Sequence, residues 1–357
     1  MSNTEFYPDI AIHPGHTIAK ALKREGMNQK SLSARTGLTE KHLSQIINGK
    51  ASITVETALL LENALGGTAS FWINLEKNYQ ETNARLERLE LVKKEIGMLS
   101  KFPYKELAQR SYVKPTTSRE EKVINLWKFF GVNSLNFVQN TEAVSYRKKD
   151  GLEVKSEAIA AWLRCGEIES RKVILPEYSK HKLQRMLEGL KLLSVKNPEE
   201  YSVEVVALLK NAGVALVYIP HFAGIGVSGA VRWIGKNPII QLSIYYRWAD
   251  IFWFNLYHEI GHLLLHDKKD QFIEFENKDL STAQDEEHEA DKFASDKLIP
   301  ENKYSDFINK PITNRNIVDF ACSLGIHPGI VAGRLCHDGL VPWHSVSKLR
   351  PRLECAN

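Results

Sequence analysis

A His-Glu-x-x-His motif supplies the residues of this chain that are best suited to chemistry. His258 and His262 are four residues apart, so on a helix they share one face, where both imidazoles can reach a single metal ion. Glu259 lies on nearly the same face and is not needed as a ligand, so it can accept a proton from a water molecule that the metal activates. The spacing predicts a helix with two metal ligands and a general base.

The motif is flanked by apolar residues on both sides, as expected for a buried helix. They are Ile251, Phe252, Phe254, Leu256 and Tyr257 before it, and Leu263, Leu264 and Leu265 after it. A dry environment of this kind strengthens electrostatic interactions at a metal. The alternative for a bare motif is a solvated glutamate between two unrelated histidines, because such a match also arises by chance.

A downstream acidic segment favours the metal site, since catalytic zinc usually takes three protein ligands. Glu287 offers a carboxylate ligand, and Asp291, one turn later, can accept a hydrogen bond from the far nitrogen of a ligating imidazole. Glu286 and Glu289 are alternatives for the third ligand. On a helix Glu289 lies about 200° from Glu287, so both cannot face the metal. The segment's apolar side consists of Phe293, Ala294 and Leu298, and Pro300 marks its end.

Together the two segments resemble the ImmA/IrrE family of metallo-endopeptidases, over roughly residues 200–300. The resemblance implies a gluzincin-like Zn²⁺ site with His258, His262 and Glu287 as ligands and Glu259 as the base. Asp291 stands where that family often has Asn, and it still supplies a hydrogen-bond acceptor behind a ligand. The resemblance also implies a protein substrate, namely a repressor that is cut to release a stress or mobile-element response.

Four other residues near the motif have simpler explanations than a role in catalysis. His266 could approach the metal, but the ligand set is complete without it, so a surface or supporting role is expected. His288 is expected to be solvated. Tyr257 and Tyr245 could stabilise an oxyanion if a hydroxyl lay about 3 Å from it, although a core or rim position is expected for each.

The other end of the chain carries a helix-turn-helix pattern. Gly37 permits a tight turn between two short helices, and Thr39 is a plausible N-cap for the second helix. The predicted core consists of Leu32, Leu38, Leu43, Ile46 and Ile47. On the second helix, side chains that can meet base edges are Glu40, Lys41, Ser44 and Gln45. Side chains expected nearer the phosphates are Gln29, Asn48 and Lys50. A helical protein-binding module with the same turn is the alternative.

The stretch from His13 to Leu75 strongly resembles HigA-type antitoxins of the Cro/CI-like, or XRE, helix-turn-helix class. That resemblance implies operator binding to double-stranded DNA as a homodimer, and it leaves a cognate toxin as an alternative protein partner to a repressor substrate. Glu40 repels phosphate, but its carboxylate could accept a hydrogen bond from a cytosine amino group.

Composition agrees with a cytoplasmic protein of several domains. The 357 residues have a formal net charge of +4, which does not by itself indicate nucleic acid. No apolar run approaches the roughly 20 residues that span a bilayer, so no membrane partner is expected, and the first residues show no signal peptide. The cysteines lack paired spacing, which predicts reduced thiols: Cys165, Cys322, Cys336 and Cys355.

The predicted fold is mainly α with a small β-sheet (α+β). The expected parts are a helix-turn-helix domain (1–80), a helical connector or middle region (81–200), a gluzincin-like zinc peptidase domain (201–310) and a helical tail packed on it (311–357). Strands are predicted over 214–219, 228–234 and 238–244, one of which would be an edge that can hold a substrate backbone. An amphipathic helix over 80–97 is either a connector or a dimerising helix.

Two functions are compatible with these patterns. The first is a DNA-binding transcriptional regulator with zinc-dependent endopeptidase activity. The second is a non-catalytic antitoxin or transcriptional repressor that uses the peptidase-like half for binding or dimerisation. The intact Glu259 beside intact ligands favours the first, because a dead site can lose its base.

Overall fold

The computed structural model describes residues 9–140, 156–220, 222–223, 225–243, 248–266, 272–275 and 284–351. The chain divides into two compact units, Met1–Ile96 and Gly97–Asn357. In the described residues the fold is mainly helical with one small sheet, which confirms the predicted class. Among the described helices, none combines the length and apolar character needed to cross a membrane.

The first unit is entirely helical where the structure describes it. Its helices are α1 (Pro14–Arg24), α2 (Gln29–Thr36), α3 (Glu40–Ile47), α4 (Val55–Leu65) and α5 (Ala69–Glu95). Local signals define the helix-turn-helix pair, as predicted. Gly37 ends α2 with φ 75°, and the Thr39 hydroxyl caps α3 by accepting a hydrogen bond from His42 N at 3.1 Å. Of the predicted core residues, Leu32, Leu43 and Ile46 are fully buried, and Leu38 and Ile47 pack against them.

Helix α5 continues through residue 80, where the sequence analysis places a domain boundary. The segment between its cap, Thr68, and Gly97 contains neither Gly nor Pro, so nothing in it interrupts an α-helix. The helix passes into a 3₁₀ turn (Ile96–Lys101), and the two units divide within that turn, between Ile96 and Gly97.

The second unit contains helices on both sides of a four-stranded sheet. Its helices before the metal motif are α6 (Tyr104–Gln109), α7 (Arg119–Phe130), α8 (Ser156–Ser170), α9 (Lys180–Leu192) and α10 (Pro198–Asn211). Those from the motif onward are α11 (Ala249–Leu265), α12 (Gln284–Leu298), α13 (Glu301–Ile308), α14 (Asn314–Leu324) and α15 (Pro328–His337). Further 3₁₀ turns are Leu135–Asn140, Leu193–Val195 and Trp343–Leu349.

Within the described residues the sheet has the strand order β1-β3-β2-β4, which makes β1 and β4 its edges there. The strands are β1 (Ala215–Tyr218), β2 (Val227–Ile234), β3 (Asn237–Leu242) and β4 (Phe272–Phe275). Strand β1 runs parallel to β3, and the other pairs are antiparallel. The first three strands lie where they were predicted, with ends that differ by one residue, except that β3 ends at Leu242 and residue 244 of the predicted strand lies outside the described residues. The sequence analysis missed β4, because a four-residue strand is too short to show alternation.

Helix α8 covers one face of the sheet and α11 covers the other. On the α8 side, Gln241 Nε2 donates to the Trp162 carbonyl at 2.7 Å, and Arg232 donates to the Leu163 carbonyl at 2.6 Å. On the opposite face, Leu242 shares a core with Leu256 of α11. Helix α8 belongs to the sequence predicted as a connector, yet it is buried along most of its length. It therefore forms a layer of the second unit.

The chain after α12 packs into the same core as α11 and is also tied to its beginning. Arg350 donates from Nη2 to Asp250 Oδ2 at 2.7 Å, and both side chains are buried. The guanidinium lies between two indole rings, 4.7 Å from the centre of Trp248 and 4.4 Å from that of Trp343. Burial raises the pKa of Asp250, and the Arg350 partner opposes that rise. The end of the described chain thus anchors the start of α11.

Candidate metal centre and nucleic-acid interface

Close packing between α11 and α12 brings the predicted metal-binding residues together. Gly261 makes this approach feasible, because a Cβ atom there would lie 3.2 Å from Phe293 Cδ1 and 3.3 Å from Ala290 Cα. A larger residue at position 261 would require its neighbours on α12 to shift by a few tenths of an ångström. The position lies between His258 and His262 in sequence, so the glycine favours a close approach of this part of α11 to α12.

Three donor atoms form a compact triangle at this helix contact. The Nε2 atoms of His258 and His262 are 2.9 Å apart. Glu287 Oε2 lies 3.2 Å from His258 Nε2, and Glu287 Oε1 lies 3.6 Å from His262 Nε2. In a tetrahedral zinc site with bonds of about 2.0–2.1 Å, neighbouring ligand atoms are about 3.3 Å apart. The side chains therefore fit a zinc ion, and they are a group in the described residues that could hold a metal.

The surroundings of the two histidines also suit a metal. Burial, reinforced by the neighbouring His258, lowers the pKa of His262 to about 2, so its ring is neutral. Asp291 Oδ1 lies 3.0 Å from His258 Nδ1. A carboxylate at this distance accepts a hydrogen bond from Nδ1 and leaves the Nε2 lone pair directed at the triangle. In the tautomers that carry their protons on Nδ1, the lone pairs of the two Nε2 atoms, which lie 2.9 Å apart, would repel one another, and a shared cation would relieve their repulsion.

Glu259 is fully buried between α11 and β2. Gly229 of β2 makes room for it, because a Cβ atom there would lie 2.8 Å from Glu259 Cδ. The predicted general base is therefore supported by the sheet as well as by its own helix. The sequence analysis placed Gly229 in a strand without assigning it a role. A glycine inside a strand is a usual sign of such a close approach.

The remaining residues near the motif lie away from the triangle. The Glu289 side chain is 64% exposed, and its Oε2 is 3.9 Å from His266 Nδ1. His288 is exposed. Tyr257 is buried and its hydroxyl donates to the Leu187 carbonyl at 2.5 Å, which makes it a core residue rather than an oxyanion donor. Tyr245 lies outside the described residues.

In the first unit, the predicted DNA contacts lie on and beside α3. Glu40 and Lys41 are exposed in its first turn, whereas Ser44 and Gln45 are half-buried. Asn48 Nδ2 donates to the Ser44 carbonyl at 2.8 Å, so it also caps the end of the helix. Elsewhere in the pair, Gln29 begins α2, Thr39 is the N-cap described above, and Lys50 is exposed after α3.

Comparison with known families divides the chain in the same way. A helix-turn-helix family matches residues 18–72, which span α1 to the beginning of α5. The peptidase-family domain described as IrrE N-terminal-like matches residues 235–331, from the turn before β3 into α15. The chain joins an XRE-type helix-turn-helix domain to an IrrE N-terminal-like domain. These two domains support a DNA-binding regulator with a domain of a metallopeptidase family, and the His258, His262 and Glu287 triangle lies inside the second match.

Individual relatives match the helix-turn-helix part. Virulence-associated protein I of Dichelobacter nodosus is 31% identical over 70 residues, which are 19% of this chain and 65% of that protein. A structure from Nostoc punctiforme, described as an antidote protein of a plasmid maintenance system, is 30% identical; the match covers 25% of this chain and 94% of that one, with a TM-score of 0.23. An addiction module antidote protein of a HigA family from Coxiella burnetii is 32% identical. The match covers 26% of this chain and 92% of that one, with a TM-score of 0.21.

Proposed function

We propose that this chain is a DNA-binding transcriptional regulator whose second unit is a zinc-dependent endopeptidase that cleaves a repressor protein. The proposal is carried by one observation, the triangle of two imidazole nitrogens and a carboxylate next to the buried Glu259. Three protein ligands leave the fourth position of a tetrahedral zinc for water or substrate, which distinguishes catalytic from structural zinc sites.

In this proposal His258, His262 and Glu287 hold the zinc ion. Zinc in such a site supplies Lewis acidity, which polarises a carbonyl group and makes water easier to deprotonate. Glu259 accepts a proton from the attacking water and later donates it to the leaving amine. Asp291 keeps His258 in the tautomer whose Nε2 faces the site. The buried surroundings of Glu259 strengthen each of these electrostatic interactions.

The sheet offers a place for an extended substrate. Strand β4 is an edge of the sheet, and its Glu274 pairs with Gly229, the residue that contacts Glu259. A peptide added beside β4 would therefore be separated by one strand, β4 itself, from the strand β2 against which Glu259 lies. Backbone hydrogen bonds would hold such a peptide without regard to its sequence, and side-chain pockets would then select the cleavage site.

The first unit would bring this activity to DNA in the cytoplasm. We propose that it binds an operator as a homodimer, with α3 in the major groove. The proposed contacts are Gln29, Thr39, Glu40, Lys41, Ser44, Gln45, Asn48 and Lys50. Both structural relatives described above are named as antidotes, so a cognate toxin is an alternative protein partner.

A non-catalytic antitoxin or repressor is the second candidate. It is compatible with the hydrophobic core of the first unit, whose residues all belong to that unit, so that DNA binding would not depend on catalysis. In that case the peptidase-like unit would serve for binding or dimerisation.

Metal analysis of the purified protein is the first test of the peptidase proposal. The wild type should bind about one zinc ion per chain, and His258→Ala or His262→Ala should abolish this binding. The exposed His337 provides the matched control, because His337→Ala removes an imidazole elsewhere in the same unit. Wild-type protein that takes up no zinc would contradict the peptidase proposal.

A further inference from the structure

His266, which follows the last residue of α11, is a histidine that the proposed chemistry does not use. Its side chain is only 6% exposed, and its ring centre lies 5.2 Å from that of His262. The backbone has left the helix at this residue, with φ −108° and ψ 166°. The ring is therefore not confined to the helical face that presents His258 and His262.

The His266 ring contacts the backbone of the helix that carries the acidic ligand. Its Nε2 atom lies 3.2 Å from the carbonyl oxygen of Glu286, the residue before Glu287. A carbonyl oxygen can only accept a hydrogen bond, so Nε2 carries a proton. A protonated Nε2 has no lone pair for a metal ion, and the other ring nitrogen, Nδ1, lies on the side of Glu289, 3.9 Å from its Oε2. This contact therefore gives His266 a different task from that of His258 and His262.

Two polar contacts join the end of α11 and its histidine face to α12, one at a residue before Glu287 and the other at a residue after it. One joins His266 to the Glu286 carbonyl, and the other joins His258 Nδ1 to Asp291 Oδ1 at 3.0 Å. Glu286 and Glu287 lie in the first turn of α12, and helix ends fray more readily than helix interiors. Without the first contact, the tie through Asp291 would remain, but the first turn of α12 would lose its bond to His266.

We propose that His266 is a positioning residue that fixes the first turn of α12 through its Nε2–H···O=C bond to Glu286. The bond keeps the Glu287 carboxylate within reach of both histidine Nε2 atoms. This role rests on the proposed zinc site, because its consequence is the affinity for the metal.

The test compares zinc affinity in full-length variants, measured by competition with a chromophoric chelator. His266→Leu removes the donor, and His266→Gln keeps an N–H donor on a side chain of similar length. His181→Leu is the matched control, because it removes an exposed histidine of α9 in the same unit. We expect His266→Leu to bind zinc on the order of 10–100-fold more weakly, as partners behind a metal site do. His266→Gln should recover most of the affinity, and the control should match the wild type.

Equal zinc affinity in His266→Leu and the wild type would overturn the inference, as would a loss that His266→Gln does not reduce. NMR of the wild-type imidazoles gives a second test that needs no variant to fold: Nε2 of His266 must carry the proton in the zinc-free protein. X-ray absorption of the zinc-loaded wild type must count two imidazole ligands, since three would make His266 a ligand. Failure of the wild type to bind zinc would instead overturn the proposed function, and the NMR result would still decide the hydrogen bond.

Discussion

The helix-turn-helix pair and the metal centre are held together by contacts of very different range. Gly37, Thr39 and Asn48 each act within five residues of their own position, through a positive φ, an N-cap and a C-cap. The metal centre instead joins side chains that are far apart in sequence. His258 meets Asp291 over 33 residues, and the start of the helix that carries both histidines is anchored by the contact of Asp250 with Arg350, 100 residues away. The recognition helix should therefore tolerate damage elsewhere in the chain, whereas the metal centre should not.

The largest expected effect comes from breaking the distant ion pair. Arg350→Ala leaves Asp250 buried without its partner, which should destabilise the second unit by about 3–5 kcal/mol. Arg315→Ala is the control, because Arg315 is 91% exposed beside Asp319. Urea unfolding followed by near-ultraviolet circular dichroism measures both variants, and the DNA affinity of the first unit should stay unchanged. A loss of DNA affinity in Arg350→Ala would contradict the separation of the two regions.

For substitutions in the acidic segment, the loss of zinc affinity should be larger the more directly the replaced residue contacts the histidines. Glu287→Ala should weaken zinc binding most, because it removes an oxygen from the triangle. Asp291→Ala should lower the affinity on the order of 10–100-fold by releasing the His258 ring. The exposed Glu289 is the matched control for both. Zinc competition titrations give the ranking, and equal affinity in Glu287→Ala and Glu289→Ala would reject Glu287 as the ligand.

The first unit should bind duplex DNA when it is prepared alone as residues 1–96. Lys41→Ala and Gln45→Ala should change base preference by about 1–3 kcal/mol wherever a direct base contact is lost. Lys50→Ala should weaken all sites alike and reduce the salt dependence. Footprinting and salt titrations on operator fragments distinguish these effects. If the folded fragment protects no DNA at low salt, the unit is a protein-binding module instead.

The smallest effect is expected at the cap of the recognition helix. Thr39→Ala removes the hydroxyl that accepts from His42 N, which should cost about 1 kcal/mol of stability in the first unit. Thr39→Ser keeps that hydroxyl and is the control. Thermal unfolding of the 1–96 fragment measures the difference. Equal stability of the Ala and Ser variants would show that this cap is not needed.

Features of this molecule that depend on residues close in sequence could be predicted, and features that depend on distant residues could not. Local sequence signals, such as a turn glycine, an N-cap and strand-like apolar segments, predicted α2, α3, their caps and strands β1 to β3. Each of these features depends on residues that are close in sequence. The motif spacing likewise pointed to His258 and His262, and the family resemblance pointed to Glu287 as the third ligand. The layer formed by α8, the strand β4, the space at Gly229 and the Asp250–Arg350 pair were not foreseen. Each depends on how distant segments pack, and no local pattern records which segments meet.

Cleavage by a Glu259→Gln variant tests the central proposal most directly. This substitution removes the proposed base but keeps the size of the side chain and all three proposed ligands. Wild type and variant are loaded with zinc and incubated with purified candidate repressors, and mass spectrometry detects new chain ends. The account predicts that Glu259→Gln retains zinc and cleaves a substrate of the wild type at least about 100-fold more slowly, the usual contribution of a general base. Cleavage at the wild-type rate would contradict it.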